Sequence, residues 1–170
     1  RIQAFWMVRS NCGGLTMYKF DEQLSKGQAA EKKLDSLFSD TYVIQEAEME
    51  DQRRGIDRFF VSKKQNTALS VEYKTDWRAA KTGNAFVETV SVDTQNKPGW
   101  AKSSQADYLM YYVPDDELVY VMKMKKMREH LNEWMSRYPE RKIPNQGYNT
   151  IGVLVPLKEF EKHAEQVLSL

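Results

Sequence analysis

The sequence predicts an α/β domain whose mixed central sheet is covered by helices. Three observations carry that expectation. Residues 18–39 repeat apolar side chains at helical spacing. Residues 56–61 and 68–75 are two strand-like runs joined by a connector of hairpin length. Helix and strand signals then alternate to the C-terminus.

The elements follow in order. In 18–39, Ala29, Ala30, Leu34, Leu37 and Phe38 recur with charges between them, and Gly27 offers an alternative helix start. Residues 42–47 read as a short strand and 46–54, polar and charged, as a turn or loop. The run 56–61 is β-branched and aromatic, and 62–67 is a polar connector. In 68–75, Leu69, Val71 and Tyr73 alternate with Ser70, Glu72 and Lys74. A loop over 76–84 precedes a third strand at 86–92, and Pro98-Gly99 marks a turn at 96–99. Residues 101–112 read as a buried helix, broken by Pro114, Asp115 and Asp116. A strand at 117–122 leads into an amphipathic helix at 123–138 with Met124, Met127, Leu131, Trp134 and Met135 on one face. A loop at 139–147, a strand at 148–155 and a C-terminal helix at 156–170 complete the chain.

Composition bounds the function. The chain has 170 residues, of which 41% are hydrophobic and 12% aromatic, with net charge +1, so it has a core and is not basic overall. No run approaches the ~20 apolar residues of a spanning helix. One cysteine, Cys12, excludes an intramolecular disulfide and suits a reducing, cytoplasmic compartment such as that of a bacterium or phage-infected cell. Residues 1–16 have neither an initiating methionine nor a long apolar core. They read as a leader or cloning-derived extension, with a native N-terminal extension as the alternative, and 17–170 as a single domain.

Alternation places Glu72 and Lys74 on one face of their strand, about 6–7 Å apart, with Val71 and Tyr73 on the other. In an antiparallel hairpin the start of the preceding strand lies beside the end of this one, so Asp57 can meet both. Two converging carboxylates suit a hard cation such as Mg²⁺. An adjacent lysine can orient or deprotonate water, or stabilise charge on a phosphate. Glu-x-Lys alone decides little: it also occurs at Glu31/Lys33 and Glu140/Lys142. Only the middle copy follows a strand that carries an acid. A solvated strand face with an ion pair is the competing account.

Gly55-Ile56-Asp57-Arg58-Phe59-Phe60 followed by Ser70-Val71-Glu72-Tyr73-Lys74 resembles the PD-(D/E)XK nuclease superfamily, the restriction-endonuclease-like fold. Ile56 stands where the motif's name has proline. The resemblance covers roughly residues 27–122 and implies a core of helix, three strands, helix and strand. It implies Asp57 and Glu72 as metal ligands, Lys74 as the catalytic lysine, and Glu31 as a further acid from the first helix. It further implies a Mg²⁺-dependent endonuclease for double-stranded DNA, with Mn²⁺ as a substitute. Site-specific cleavage of restriction or homing type stands ahead of junction resolution, and a non-catalytic nucleic-acid-binding module on the same fold is the other alternative. Cutting both strands calls for a homodimer or higher symmetric oligomer.

Other residues are weaker candidates. Glu88 shares a strand face with Phe86 and Val90, an unusual place for an acid; it is read either as reaching the metal site or Lys74, or as a paired edge acid. Arg78 and Lys81 follow the Glu72 strand and suit phosphate contacts. Lys102, Ser103 and Gln105 stand near the start of the expected buried helix, where a phosphate would be favoured; Ser103 or Ser104 as a plain N-cap is the alternative. The basic run Lys123, Lys125, Lys126 and Arg128 reads as a solvated helix face. His130 and His163 lack metal-ligand spacing, and no Gly-rich phosphate loop is present, so no nucleotide cofactor is expected.

Overall fold

The computed structural model describes residues 16–170, with side chains described from Ser25 onward. The expectations for residues 1–15, Cys12 among them, lie outside the described residues.

A six-stranded sheet forms the centre. Helix α1 (Thr16–Phe38) leads to β1 (Tyr42–Glu46), a short α2 (Met49–Arg53), β2 (Arg58–Ser62) and β3 (Ala68–Thr75). Further along come β6 (Tyr108–Val113), β7 (Leu118–Lys123) and the C-terminal β10 (Gln166–Ser169). The strand order is β1-β2-β3-β6-β7-β10, with β3 and β6 parallel and the remaining neighbours antiparallel, so the expected mixed α/β sheet is present. Between β3 and β6 lie α3 (Ala79–Thr82), β4 (Asn84–Val92), β5 (Lys97–Pro98) and α4 (Trp100–Ser103). After β7 come α5 (Met124–Arg137), β8 (Glu140–Pro144), β9 (Asn149–Pro156) and α6 (Leu157–Lys162). A second, antiparallel sheet has the order β5-β4-β9-β8.

Two apolar layers sandwich the central sheet. On one face Ala30 and Leu34 of α1 pack on Phe60, Val71, Tyr73, Met110 and Tyr112. On the other, Leu109, Tyr111 and Met122 meet Val87, Val153 and Val155 of the second sheet, with Met124, Met127, Leu131 and Trp134 of α5 and Phe160 of α6. Alternation along β3 thus sends Val71 and Tyr73 to the α1 layer. Glu72 and Lys74 go to the opposite face, alongside their register partners Leu109 and Tyr111.

Several expectations are corrected. The helix expected at 101–112 is the four-residue α4 followed by strand β6. Strand β6 is buried between β3 and β7, and a strand covered on both faces is apolar at nearly every position, as a buried helix is. The third strand, β4, belongs to the second sheet rather than the one bearing Glu72. The loop expected at 139–147 contains β8, a charged edge strand, and the helix expected at 156–170 stops at Lys162 before β10 pairs with β7. The loops at 46–54 and 76–84 each contain a single short helix, α2 and α3. Met135 stays 40% exposed, outside the buried stripe of α5.

Candidate functional site

Asp57 is fixed through its backbone and its side chain. Its N–H donates to Val71 O at 2.8 Å, and its carbonyl accepts Ala47 N–H at 3.0 Å, so it extends both the β2–β3 and the β1–β2 ladders by one residue. Its Oδ2 accepts the N–H of Tyr73 at 2.7 Å, between Glu72 and Lys74 in the chain. The approach to Asp57 turns at Gly55, whose φ of 75° is in the left-handed region. Ser104 Oγ donates to Gly55 O at 2.6 Å and locks that turn.

Glu72 is only 3% exposed. Its Oε1 forms a salt bridge with Lys74 Nζ, and its Oε2 is buried with no hydrogen-bond partner among the described residues. Burial pushes the Glu72 carboxyl up to about 7; Lys74 opposes that rise, while the charges of Asp57 and Glu88 reinforce it. For Lys74 burial disfavours the ammonium, but Glu72, Asp57 and Glu88 together outweigh it and hold the pKa above the ordinary lysine value. In this arrangement Lys74 holds its proton against the Glu72 carboxylate.

Glu31 lies elsewhere around Asp57. Its Oε2 accepts from Arg58 Nη2 at 2.8 Å, and Asp35 Oδ1 accepts from Arg58 Nε at 3.1 Å and from the Tyr73 hydroxyl at 3.0 Å. Arg58 and Tyr73 belong to the α1 face of the sheet. Burial raises the Glu31 carboxyl, Arg58 pulls it down, and Asp57 is the next acid to push it up. Asp57 thus borders both acid groups, and Glu31 is engaged by Arg58 rather than by Glu72 or Lys74.

Glu88 is a buried acid of β4 whose charge bears on both Glu72 and Lys74. Two residues earlier in β4, Phe86 N–H donates to the Tyr111 hydroxyl at 2.9 Å, and Tyr111 is the register partner of Lys74. The loop beyond β3 is pinned here by Asp76, whose carboxylate accepts Arg78 N–H at 2.8 Å, Ala79 N–H at 3.0 Å and the Tyr111 hydroxyl.

The peripheral candidates are dispersed. Arg78 and Lys81 are exposed, at the N-cap and on the body of α3. Lys102 and Ser103 lie at the carbonyl-bearing end of α4, so the helix N-terminus expected to favour phosphate there is absent; α4 begins at Trp100, and its N-cap is Gly99 rather than a serine. Ser103 Oγ donates to Gly99 O at 2.9 Å, and Gln105, exposed, uses its N–H on Arg54 O at 2.7 Å. In the basic run, Lys123 and Lys126 pair with Glu165, while Arg128 Nε donates to Ala101 O at 3.1 Å. His130 and His163, far apart in sequence, meet with ring centroids 3.7 Å apart and planes tilted by 33°, and His130 stacks on Trp134; only the packing of α5 on α6 brings them together.

Among the described residues no group of three or more His, Cys, Asp or Glu side chains is placed to hold a metal ion. An orphaned, buried carboxylate oxygen on Glu72 nevertheless suits a hard cation. Mg²⁺ needs only one or two carboxylates and keeps water and phosphate oxygens as its other ligands.

No protein-family model matches the chain, and no curated protein matches it. Among solved structures it is similar to a bacterial homing endonuclease, I-Ssp6803I, at 22% identity and a TM-score of 0.42, over 67% of this chain and 74% of that one.

Proposed function

We propose that the chain is a Mg²⁺-dependent endonuclease that hydrolyses phosphodiester bonds in double-stranded DNA at specific sites, acting as a homodimer. One observation carries this reading. Asp57 is tied to the Tyr73 N–H, between Glu72 and Lys74 in the chain, and buried Glu72 pairs with Lys74 through one oxygen while its other is unpartnered. A merely structural ion pair leaves no reason to bury an unbonded carboxylate oxygen, which carries a desolvation cost.

Asp57 and Glu72 would hold the cation, with Glu31 as a further acid behind Arg58. When bound, the cation polarises the phosphodiester and lowers the pKa of water. Asp57 supplies a carboxylate whose direction is set by the β3 backbone. Glu72 orients Lys74, and the Lys74 ammonium donates to a non-bridging phosphate oxygen as negative charge develops there. The water oxygen forms the new P–O bond and gives up its proton to solvent, the bond to the leaving deoxyribose oxygen breaks, and that oxygen takes up a proton from solvent.

The test is nicking of supercoiled plasmid by the full chain with Mg²⁺, with Mn²⁺ and with EDTA, beside Asp57→Asn and Lys74→Ala. Divalent-dependent nicking that both variants lose supports the assignment. Nicking that survives in EDTA or in either variant removes it.

A further inference from the structure

The basic run that opens α5 borders a surface pocket of about 320 Å³, at the end of the central sheet where β6 begins and β7 ends. Its walls include Leu69 of β3, Asp107 and Tyr108 at the start of β6, Lys123 at the end of β7, and Lys125 and Arg128 of α5. Three cations thus line it with one acid, on a chain whose net charge is only +1. The acid is committed to β3: Asp107 Oδ2 accepts the Ser70 N–H at 2.9 Å and the Ser70 hydroxyl at 2.8 Å.

Other acids do not balance these cations. Lys123 and Lys126 share the one carboxylate of Glu165, at 3.7 and 3.3 Å. Arg128 is partly buried, yet its guanidinium bonds carbonyls alone, Ala101 O through Nε at 3.1 Å and Ser104 O through Nη2. Among the described residues neither Arg128 nor Lys125 forms an ion pair. Arg58 is the contrast: two acids hold its pKa up, whereas burial lowers that of Arg128. The two carbonyls fix the plane of the Arg128 guanidinium and leave N–H groups to spare. A fixed guanidinium fork beside flexible ammonium groups is the donor set that recognises phosphate oxygens.

Hydrogen bonds join this pocket to the acid site. Ser104, whose carbonyl accepts Arg128, donates its hydroxyl to Gly55 O at 2.6 Å, at the turn into Asp57. Leu69 stands two residues before Val71, whose carbonyl accepts the Asp57 N–H. Two strand residues span about 7 Å, the axial rise of roughly two base steps in a duplex. A polyanion with regularly spaced phosphates can therefore occupy both positions at once, which a small free anion cannot.

We propose that this pocket is a backbone-phosphate subsite, in which Lys125 and Arg128, with Lys123, hold a phosphodiester of the same nucleic acid whose scissile bond lies at Asp57. The identity of that nucleic acid rests on the nuclease reading, but the claim concerns binding and can fail alone. Contacts of this kind position a duplex without reading its sequence.

The experiment is fluorescence anisotropy of a short labelled DNA duplex with the full chain, in EDTA and in Ca²⁺, over a series of KCl concentrations. It compares wild type with Lys125→Gln, the Lys123→Gln/Lys125→Gln double variant, Arg128→Gln and Lys158→Gln, an exposed cation of α6 outside the pocket. Lys125→Gln is expected to weaken binding ~5- to 10-fold near 0.1 M KCl and to lower the slope of log affinity against log salt by about 0.9, the loss of one phosphate contact. The double variant is expected to lose more of both, and Arg128→Gln at least as much as Lys125→Gln. Because Arg128 also ties α4 to α5, its thermal melt is recorded beside the titration, and the lysine variants carry the test if it does not fold. Lys158→Gln is expected to bind as wild type does. Binding by the lysine variants within twofold of wild type, with an unchanged salt slope, overturns the proposal and leaves the nuclease reading to the plasmid assay. A loss in Lys158→Gln equal to that in Lys125→Gln also overturns it, since net charge alone then accounts for the effect. Wild type that binds duplex in neither condition overturns both.

Discussion

Asp57 Oδ2 accepts the backbone N–H of Tyr73 at 2.7 Å, so the acid that precedes β2 is held to the stretch of β3 that carries Glu72 and Lys74. The bond separates the charge of Asp57 from its structural role, because asparagine can accept the same N–H. Asp57→Asn is expected to melt within about 1 kcal/mol of wild type, whereas Asp57→Ala loses a charge-assisted bond of roughly 1.5–3 kcal/mol. Both are expected to lower plasmid cleavage by ~10²-fold or more. A fully active Asp57→Asn protein counts against a role for the carboxylate charge.

Glu72 gives a pH signature. Burial, with help from Asp57 and Glu88, raises its folded pKa from 4.5 to about 7. The folded state then binds this proton more tightly than the unfolded chain, so stability falls as pH rises between those values and stays reduced above them. Glu72→Gln removes the titration. In EDTA the variant's melting temperature is expected to gain on wild type between pH 5 and pH 8, by the equivalent of ~2–3 kcal/mol at 1.36 kcal/mol per pH unit. A difference that stays flat across that range contradicts the buried, ionising Glu72.

Lys74→Ala tests more than chemistry. Removing the ammonium leaves a buried carboxylate without its partner, a loss on the order of 3–5 kcal/mol when that acid is ionised. The loss is expected to be larger at pH 8 than at pH 5, because Glu72 takes up a proton at the lower pH. Adding Glu72→Gln to Lys74→Ala is expected to restore most of the stability and none of the cleavage. Urea melts of the two single variants and the double variant measure the coupling.

Arg58 acts as a clamp between strand and helix. It bonds Glu31 and Asp35 on α1 and lies 5.5 Å from the centre of the Tyr73 ring, with its side chain 10% exposed. Arg58→Met is expected to cost about 2–4 kcal/mol, since two partly buried acids lose their shared cation. Arg58→Lys recovers little, because one ammonium cannot reproduce the planar fork that serves both carboxylates. Chemical denaturation at pH 7 decides it; equal stability of the lysine variant would show that only charge matters.

Gly55 sets the direction in which Asp57 enters. A Cβ at Gly55 would lie 2.8 Å from Ser104 Cα, and the φ of 75° disfavours any L side chain. Gly55→Ala is expected to cost ~1 kcal/mol or more from backbone conformation alone, with displacement of Ser104 adding to it. Cleavage should fall with it, since the turn leads straight into Asp57. Wild-type melting and activity together would show that the turn relaxes freely.

The hairpin was legible because strand alternation is local. Val71 and Tyr73 against Glu72 and Lys74 is a period-two pattern that survives any context, and the helix at 18–39 was equally plain. The run Leu109–Val113 was misread as helical because apolar residues at every position carry no period. Strands β8 and β10 were missed because each lies at a sheet edge, where polar side chains face solvent and pairing depends on a distant partner. Glu88 carried one local signal, an acid in an otherwise apolar strand.

By itself the sequence determined the mixed α/β character of the chain, the β2–β3 hairpin, and the projection of Glu72 and Lys74 to one face, because all three follow from side-chain periodicity along single segments. Only the tertiary structure decided that Glu31 is engaged by Arg58 and Asp35 by both Arg58 and Tyr73, that His130 meets His163, and that Glu88 is buried on a second sheet with an unbonded carboxylate oxygen. Those facts depend on which elements pack together and on the desolvation that packing imposes, and neither is encoded in the spacing of residues along one strand or helix.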